Sequence, residues 1–188
     1  MSILRKIVVL SYPFMMKILK LTGMGRRIYK NEKNVSPLES FYSLKAYLNN
    51  GEEISFEQFK NKKILIVNLA SECAFTPQYS ELEELHHSNQ KLVILGFPAN
   101  DFKEQEPGTD DEIMEFCKKE YAVTFPLFKK KSVKGRSKQV VYKWLTDKTK
   151  NGWNDKEPQW NFYKYLIDEN GNLSKIFSSS VSPIDIEF

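Results

Sequence analysis

The chain has 188 residues, of which 41% are hydrophobic and 13% aromatic, which suits one folded domain with a hydrophobic core. Its 28 basic and 24 acidic residues give a net charge of +4 without a dense basic stripe, which argues against a nucleic-acid-binding protein. Two cysteines, Cys73 and Cys117, do not make a four-ligand zinc pattern, so we expect no metal.

Residues 1–35 differ from residues 36–188, which we predict to be the folded domain. The apolar stretch at 7–16 follows a short basic start and is shorter than the roughly 20 residues of a membrane-spanning helix. It has the length of a signal-peptide core, but no small-residue cleavage site follows it. Three interpretations stay open: contact of residues 1–30 with a membrane surface, an uncleaved or atypical signal, and a docked helix or loose leader.

The rest of the chain alternates strand and helix patterns. A lead-in hairpin is predicted within 36–56, and the last two strands form a second hairpin around the turn at 168–172. The other predicted elements are strands at 63–69 and 91–97 and helices at 76–88, 109–117 and 139–145. Parallel central strands with right-handed crossovers predict an α/β fold, a three-layer α/β/α sandwich with a mixed sheet that resembles the thioredoxin-like arrangement.

Cys73 follows the first buried strand at a predicted strand-to-helix turn. Helix N–H groups and the helix dipole stabilise a thiolate at such a position, so Cys73 is a candidate reactive thiol. Cys117 falls on the apolar face of its predicted helix, which by itself indicates a small buried hydrophobic residue. A structural disulfide between them would need an oxidising compartment, and a domain of this size does not need one.

Four segments resemble the glutathione peroxidase family, in its cysteine-containing, thioredoxin-using branch. The resemblance covers roughly residues 38–180, in the family's order. The segments are NLASECAFTPQY (68–79), LGFPANDFKEQEPG (95–108), EIMEFC (112–117) with VTFP (123–126), and WNFYKYL (160–166).

The resemblance implies a catalytic tetrad of Cys73, Gln105, Trp160 and Asn161. Side-chain amides and the indole N–H donate hydrogen bonds without titrating, so they suit stabilisation of a sulfur anion and a developing oxyanion. Taken singly, Gln105 fits a surface amide and Trp160 a core residue. A second Trp-Asn pair at 153–154 lacks a following strand and is interpreted as a loop.

The resemblance also implies a thiol peroxidase that acts on hydrogen peroxide and on organic and lipid hydroperoxides, an antioxidant activity in the response to oxidative stress. Cys73 would become a sulfenic acid, and Cys117 would resolve it to a redox-active disulfide that thioredoxin reduces. No cofactor is implied. Two alternatives stay open: a glutathione-dependent peroxidase in which Cys117 is structural, and a peroxide sensor that passes its disulfide to a partner protein.

Four residues depart from the family pattern, among them Ala99, which stands where many thiol members have a third cysteine that the two-cysteine cycle does not require. Ala74 stands where a glycine usually follows the catalytic residue, and a positive φ there would cost alanine more than glycine. Asp101 and Lys103 replace the usual Gln and Gly.

The stretch at 133–159 is short compared with that of the tetrameric animal members of the family, which favours a monomer or weak dimer with an open site. The expected location is cytoplasmic or at a membrane surface, with export left open.

Overall fold

The structure is a computed structural model that describes residues 3–188, with side chains from residue 7 onward. The helices are α1 (Ile3–Thr22), α2 (Gln78–Ser88), α3 (Asp110–Tyr121), α4 (Val140–Leu145) and α5 (Lys148–Asn151). The strands are β1 (Ile28–Lys30), β2 (Lys45–Tyr47), β3 (Glu53–Ser55), β4 (Lys63–Leu69), β5 (Leu92–Pro98), β6 (Lys164–Ile167) and β7 (Leu173–Phe177). Short 3₁₀ turns lie at Phe41–Ser43, Phe56–Phe59 and Pro183–Asp185.

The main sheet has five strands in the order β1-β7-β6-β4-β5. Strands β4 and β5 are parallel, as expected for strands joined by a crossover helix, while β6 and β7 run antiparallel to their neighbours. The short β2–β3 hairpin stands apart from this sheet. The predicted α/β class, mixed central sheet and N-terminal hairpin are therefore confirmed.

Both faces of the sheet are covered, and the side chains of β4 are apolar on each of these faces. Ile64 and Ile66 pack in a cluster with α4 and the β2–β3 hairpin. Leu65 and Val67, which alternate with them, pack in a second cluster with α2 and α3. The result is the three-layer sandwich that the continuous apolar run at 63–69 predicted.

Two features differ from the sequence prediction. Helix α2 begins at Gln78, because Thr76 belongs to the preceding turn, where its hydroxyl donates to the Ala70 carbonyl (2.9 Å). The edge strand β1 lies inside the basic leader and pairs with β7 from Ile28 to Lys30. A three-residue strand shows too little alternation to be recognised from sequence.

Helix α1 is fastened to the domain along one face. The buried Tyr12 hydroxyl donates to Glu81 Oε1 in α2 (2.8 Å), and Lys20 pairs with Asp185 near the C-terminus (2.6 Å). Arg26, just after the helix, pairs with the same carboxylate (3.0 Å). No helix within residues 3–188 combines the length and apolar character that crossing a bilayer requires.

Candidate active site

Cys73 lies in the turn between β4 and α2, at the carboxyl end of the central strand. Its side chain is only 2% exposed, and its Sγ accepts the Phe75 N–H (3.4 Å). The Cys73 N–H donates to the Thr76 hydroxyl (3.0 Å), which fixes the turn. The Glu72 N–H donates to the Gln105 carbonyl (3.0 Å), so this turn is tied directly to the loop after β5.

Burial dominates the acidity of Cys73 and raises the pKa of its thiol. The Phe75 N–H and the side chains of Trp160 and Asn161 act in the opposite direction and favour the thiolate. The expected stabilisation by the helix N-terminus is replaced by donors from the turn and from the Trp160 loop, because α2 begins only at Gln78. The thiolate therefore depends on these few donors.

The structure brings the four sequence-predicted tetrad residues together. The Asn161 amide donates to Gln105 Oε1 (3.0 Å), and both Trp160 and Asn161 lie close enough to Cys73 to lower the pKa of its thiol. Asn161 is fully buried, whereas Gln105 and Trp160 are half-buried at the rim. Trp160 and Asn161 thus offer the Cys73 sulfur hydrogen-bond donors that do not titrate, and Gln105 is joined to them through Asn161.

Asn68 holds the Trp160–Asn161 loop and was not identified from sequence. Its amide donates to the Trp160 carbonyl (3.0 Å), and its Oδ1 accepts the Tyr163 N–H (3.1 Å). Between them, Phe162 has a positive φ of 62°, an unusual backbone for a bulky residue that turns the chain into β6. An asparagine inside the apolar run of β4 was the available signal.

Lys164 and Ser179 also hold this loop in place, through hydrogen bonds to its backbone carbonyls. Lys164 is fully buried and donates to the carbonyls of Phe162 (2.9 Å) and Val181 (2.8 Å), and burial lowers its pKa to about 7. The Ser179 hydroxyl donates to the Asn161 carbonyl (2.5 Å). The available signal for Lys164 was a charged residue in the middle of an otherwise buried strand pattern.

A buried carboxylate, Glu106, lies beside Gln105. Glu106 Oε1 accepts the Ser71 hydroxyl (2.7 Å), while Oε2 is buried without a hydrogen-bond partner among the described residues. It lines a cleft between the Cys73 turn and α3, where Ile113 and Phe116 form the opposite wall. Burial raises the pKa of Glu106 to about 7.

The substitution Glu106→Gln is expected to change the pH dependence of stability. Because the folded-state pKa lies above the ordinary 4.5, the protonated form is favoured, and its contribution is lost as pH rises from about 4.5 to about 7. The variant does not lose this contribution, so its unfolding free energy should exceed that of wild type by about 3 kcal/mol at pH 8 and approach it near pH 4.5. Urea unfolding at both values measures this. The control is Glu104→Gln, at an exposed position, and a pH-independent difference would contradict the expectation.

The departures from the family pattern have unequal structural consequences. Ala74 does not have a positive φ, so alanine is tolerated there without backbone strain. Lys103 and Glu104 have φ values of 51° and 53°, the left-handed region that favours glycine. The Lys103 ammonium lies 5.9 Å from the centroid of the Trp160 ring, so this substitution also places a cation at the tetrad.

The substitution Lys103→Gly is expected to raise the unfolding free energy by about 1 kcal/mol, because glycine adopts a φ near 50° without strain. Lys103→Ala is the matched control, since it removes the cation but keeps the Cβ that causes the strain. Urea unfolding of the two variants separates these effects. Equal stability of the glycine and alanine variants would contradict the strain argument.

Cys117 lies on α3 with its side chain fully buried, in the same apolar cluster as Cys73. Both cysteines are free thiols. Burial raises the pKa of the Cys117 thiol to about 12. The nearby Tyr79 hydroxyl acts weakly in the opposite direction, although no hydrogen bond joins it to Cys117. Helix α3 begins with a capping box between Thr109 and Glu112 and is followed by Ala122 in the left-handed region.

Among the side chains that the structure describes, no group of three His, Cys, Asp or Glu residues could hold a metal ion.

Known proteins share both the sequence and the fold. A family model described as glutathione peroxidase matches residues 41–146. Glutathione peroxidase-like peroxiredoxin 2 of Saccharomyces cerevisiae is 46% identical over 150 residues, which are 79% of this chain and 93% of that protein. The crystal structure of Trgpx in apo form is 33% identical with a TM-score of 0.63, covering 79% of this chain and 91% of that one. A thioredoxin family protein from Chlorobium tepidum, 15% identical with a TM-score of 0.54, covers 81% and 91% and shares the fold.

Proposed function

Since the chain belongs to the glutathione peroxidase family and is a peroxidase, we propose that it is a thiol peroxidase with Cys73 as the residue that attacks the peroxide. The observation that carries this assignment is the hydrogen bond from Asn161 to Gln105 beside the buried Cys73. It joins the loop after β5 to the loop before β6, where Trp160 and Asn161 are in position to stabilise the thiolate. Gln105, Trp160 and Asn161 complete the proposed tetrad.

The proposed reaction moves an oxygen atom to sulfur. The Cys73 thiolate attacks the nearer oxygen of the hydroperoxide, the O–O bond breaks, and the leaving alkoxide or hydroxide takes up a proton. The products are an alcohol or water and a Cys73 sulfenic acid. The amide and indole donors stabilise the negative charge on sulfur before the attack and on oxygen during it.

Cys117 is proposed as the resolving residue. Its thiol loses its proton and attacks the sulfenic sulfur, forming the Cys73–Cys117 disulfide, while the hydroxyl leaves as water. Because Cys117 is fully buried on a regular helix, α3 must loosen before the sulfurs meet. A dithiol protein such as thioredoxin then reduces the disulfide by exchange, which restores both thiols.

The partial exposure of Gln105 and Trp160 supports hydroperoxides of organic molecules and lipids as substrates beside hydrogen peroxide. We assign the protein to the cytoplasm or a membrane surface, as a monomer or weak dimer, with residues 1–30 as the membrane contact. The membrane contact rests on the apolar stretch at 7–16 and on the basic residues around it.

The experiment that tests the function follows peroxide consumption through NADPH oxidation, with thioredoxin and its reductase in one series and glutathione and its reductase in the other. Turnover with thioredoxin that exceeds turnover with glutathione supports the proposal. Equal turnover with both reductants would favour a glutathione-dependent enzyme with a structural Cys117. Oxidation of Cys73 without turnover in either series would favour a peroxide sensor.

A further inference from the structure

Helix α1 is apolar on two opposite faces, which is unusual for a helix at the surface of a domain. The inner face packs on the domain through the buried Tyr12 and its partly buried neighbours three or four positions away. The opposite face, which we call the outer stripe, is between 38% and 80% exposed. The outer stripe consists of Ile7, Leu10, Phe14, Ile18 and Leu21.

No described part of the chain covers the outer stripe. Five large apolar side chains in a row at helical spacing form a continuous patch rather than scattered surface residues. The helix is already fixed by Tyr12 and by the Lys20–Asp185 ion pair, so turning the stripe inward would break these contacts. Removing the outer stripe from water therefore requires an apolar environment outside the domain.

The charge around the outer stripe selects the kind of environment. No acidic residue precedes Glu32, whereas this part of the chain carries seven basic residues: Arg5, Lys6, Lys17, Lys20, Arg26, Arg27 and Lys30. Lys17 is exposed and follows Phe14 by three positions, so it lies at the margin of the stripe. An apolar stripe bordered by cations complements a surface that is apolar inside and anionic outside, as a lipid bilayer with acidic headgroups is.

We infer that the outer stripe of α1 inserts into the interface of an anionic bilayer, with α1 lying in the membrane plane and the folded domain seated on its inner face. This inference gives the membrane contact of residues 1–30 a defined face and a defined lipid charge. It rests on that part of the proposed function and not on the thiol chemistry.

Helix α1 is attached to the segments that carry the active site. Glu81, which accepts the Tyr12 hydroxyl, is in the first turn of α2, the helix that follows the Cys73 turn. After α1, the Arg27 side chain donates to Gln159, the residue before Trp160 (3.4 Å). The segments that hold α1 to the domain therefore adjoin, along the chain, the turn that carries Cys73 and the loop that carries Trp160 and Asn161.

The test is flotation of the full-length protein with vesicles of phosphatidylcholine, with and without phosphatidylglycerol, in the absence of peroxide. Wild type should float with the vesicles that contain phosphatidylglycerol. Leu10→Ser and Phe14→Ser should each weaken binding by at least about tenfold, because each removes a large apolar side chain from the interface. Lys17→Gln should weaken binding to the anionic vesicles by about fivefold and leave binding to the neutral ones unchanged.

Leu38→Ser is the matched control, because Leu38 is a leucine outside α1 that is 76% exposed. It should float like wild type. Failure of wild type to bind, or equal binding by the control and by Leu10→Ser, would overturn the inference. So would a wild-type dimer in light scattering that Phe14→Ser converts to a monomer, since the stripe would then bind a second copy. All variants should retain wild-type turnover of hydrogen peroxide in solution, so a failed proposal of function is distinguishable from failed membrane binding.

Discussion

Replacing Cys73 with serine is expected to reduce peroxide consumption by at least about a thousandfold, to the background rate. A serine hydroxyl stays protonated at neutral pH and does not accept the peroxide oxygen, and the remaining thiol, Cys117, is fully buried. The side chain is buried in a turn that the Thr76 and Phe75 contacts hold, and the isosteric serine preserves the fold. NADPH-coupled turnover with thioredoxin measures the loss.

Thermal unfolding of Cys73→Ser provides the control for the fold, and it should remain close to that of wild type. A second control is mass spectrometry after one equivalent of peroxide, which should show the Cys73–Cys117 disulfide in wild type and no oxidation product in the variant. Residual turnover above a few per cent would mean that Cys117 attacks peroxides directly, and the proposed roles of the two cysteines would be wrong.

Replacing Cys117 with serine is expected to separate the two halves of the cycle. Cys73 should still consume one equivalent of peroxide at the wild-type rate, because Cys117 does not contact the donors around Cys73 that the structure describes. Continuous turnover with thioredoxin should then fall by at least about a hundredfold, because no disulfide forms for a dithiol to reduce. Rapid-mixing measurement of the first turnover, followed by the steady-state assay, gives both rates.

The matched control for Cys117 is Ile113→Val, which trims a neighbouring buried side chain on α3 without removing a thiol. It should destabilise the protein by about 1 kcal/mol and leave thioredoxin-dependent turnover intact. If Cys117→Ser turns over with thioredoxin as wild type does, Cys117 is a core residue and the sulfenic acid is reduced directly.

The fold was predictable where the local pattern and the buried surface agreed. The apolar run at 63–69 gave β4 with its bounds unchanged, and Thr109 followed by three acidic residues marked the start of α3. Helix α2 started later than predicted because Thr76 and Pro77 serve the Cys73 turn, a use of side chains that helix periodicity does not reveal. Strand β1 depends on pairing with β7, which is 145 or more positions away, and local pattern carries no such information.

The four tetrad residues could be named from the sequence only through the family resemblance of the segments that contain them, and their catalytic roles stay a prediction. The residues that hold these segments in place could not be named from the sequence. Asn68 and Lys164 lie inside strands whose pattern is otherwise apolar, and an apolar pattern does not indicate which carbonyls a polar side chain within it will bind. The acidity of Cys73 also depended on burial, a three-dimensional quantity, and burial outweighed the turn and loop donors.

The burial of both thiols in one apolar cluster also has a thermodynamic consequence for the proposed cycle. The reduced protein keeps the packing of α3, whereas the disulfide form must give up part of it to bring the sulfurs together. That loss opposes oxidation, so it raises the reduction potential of the Cys73–Cys117 couple by about 30 mV for each 1.4 kcal/mol of packing given up. The same helix that delays disulfide formation therefore makes the finished disulfide a better electron acceptor from the reductant.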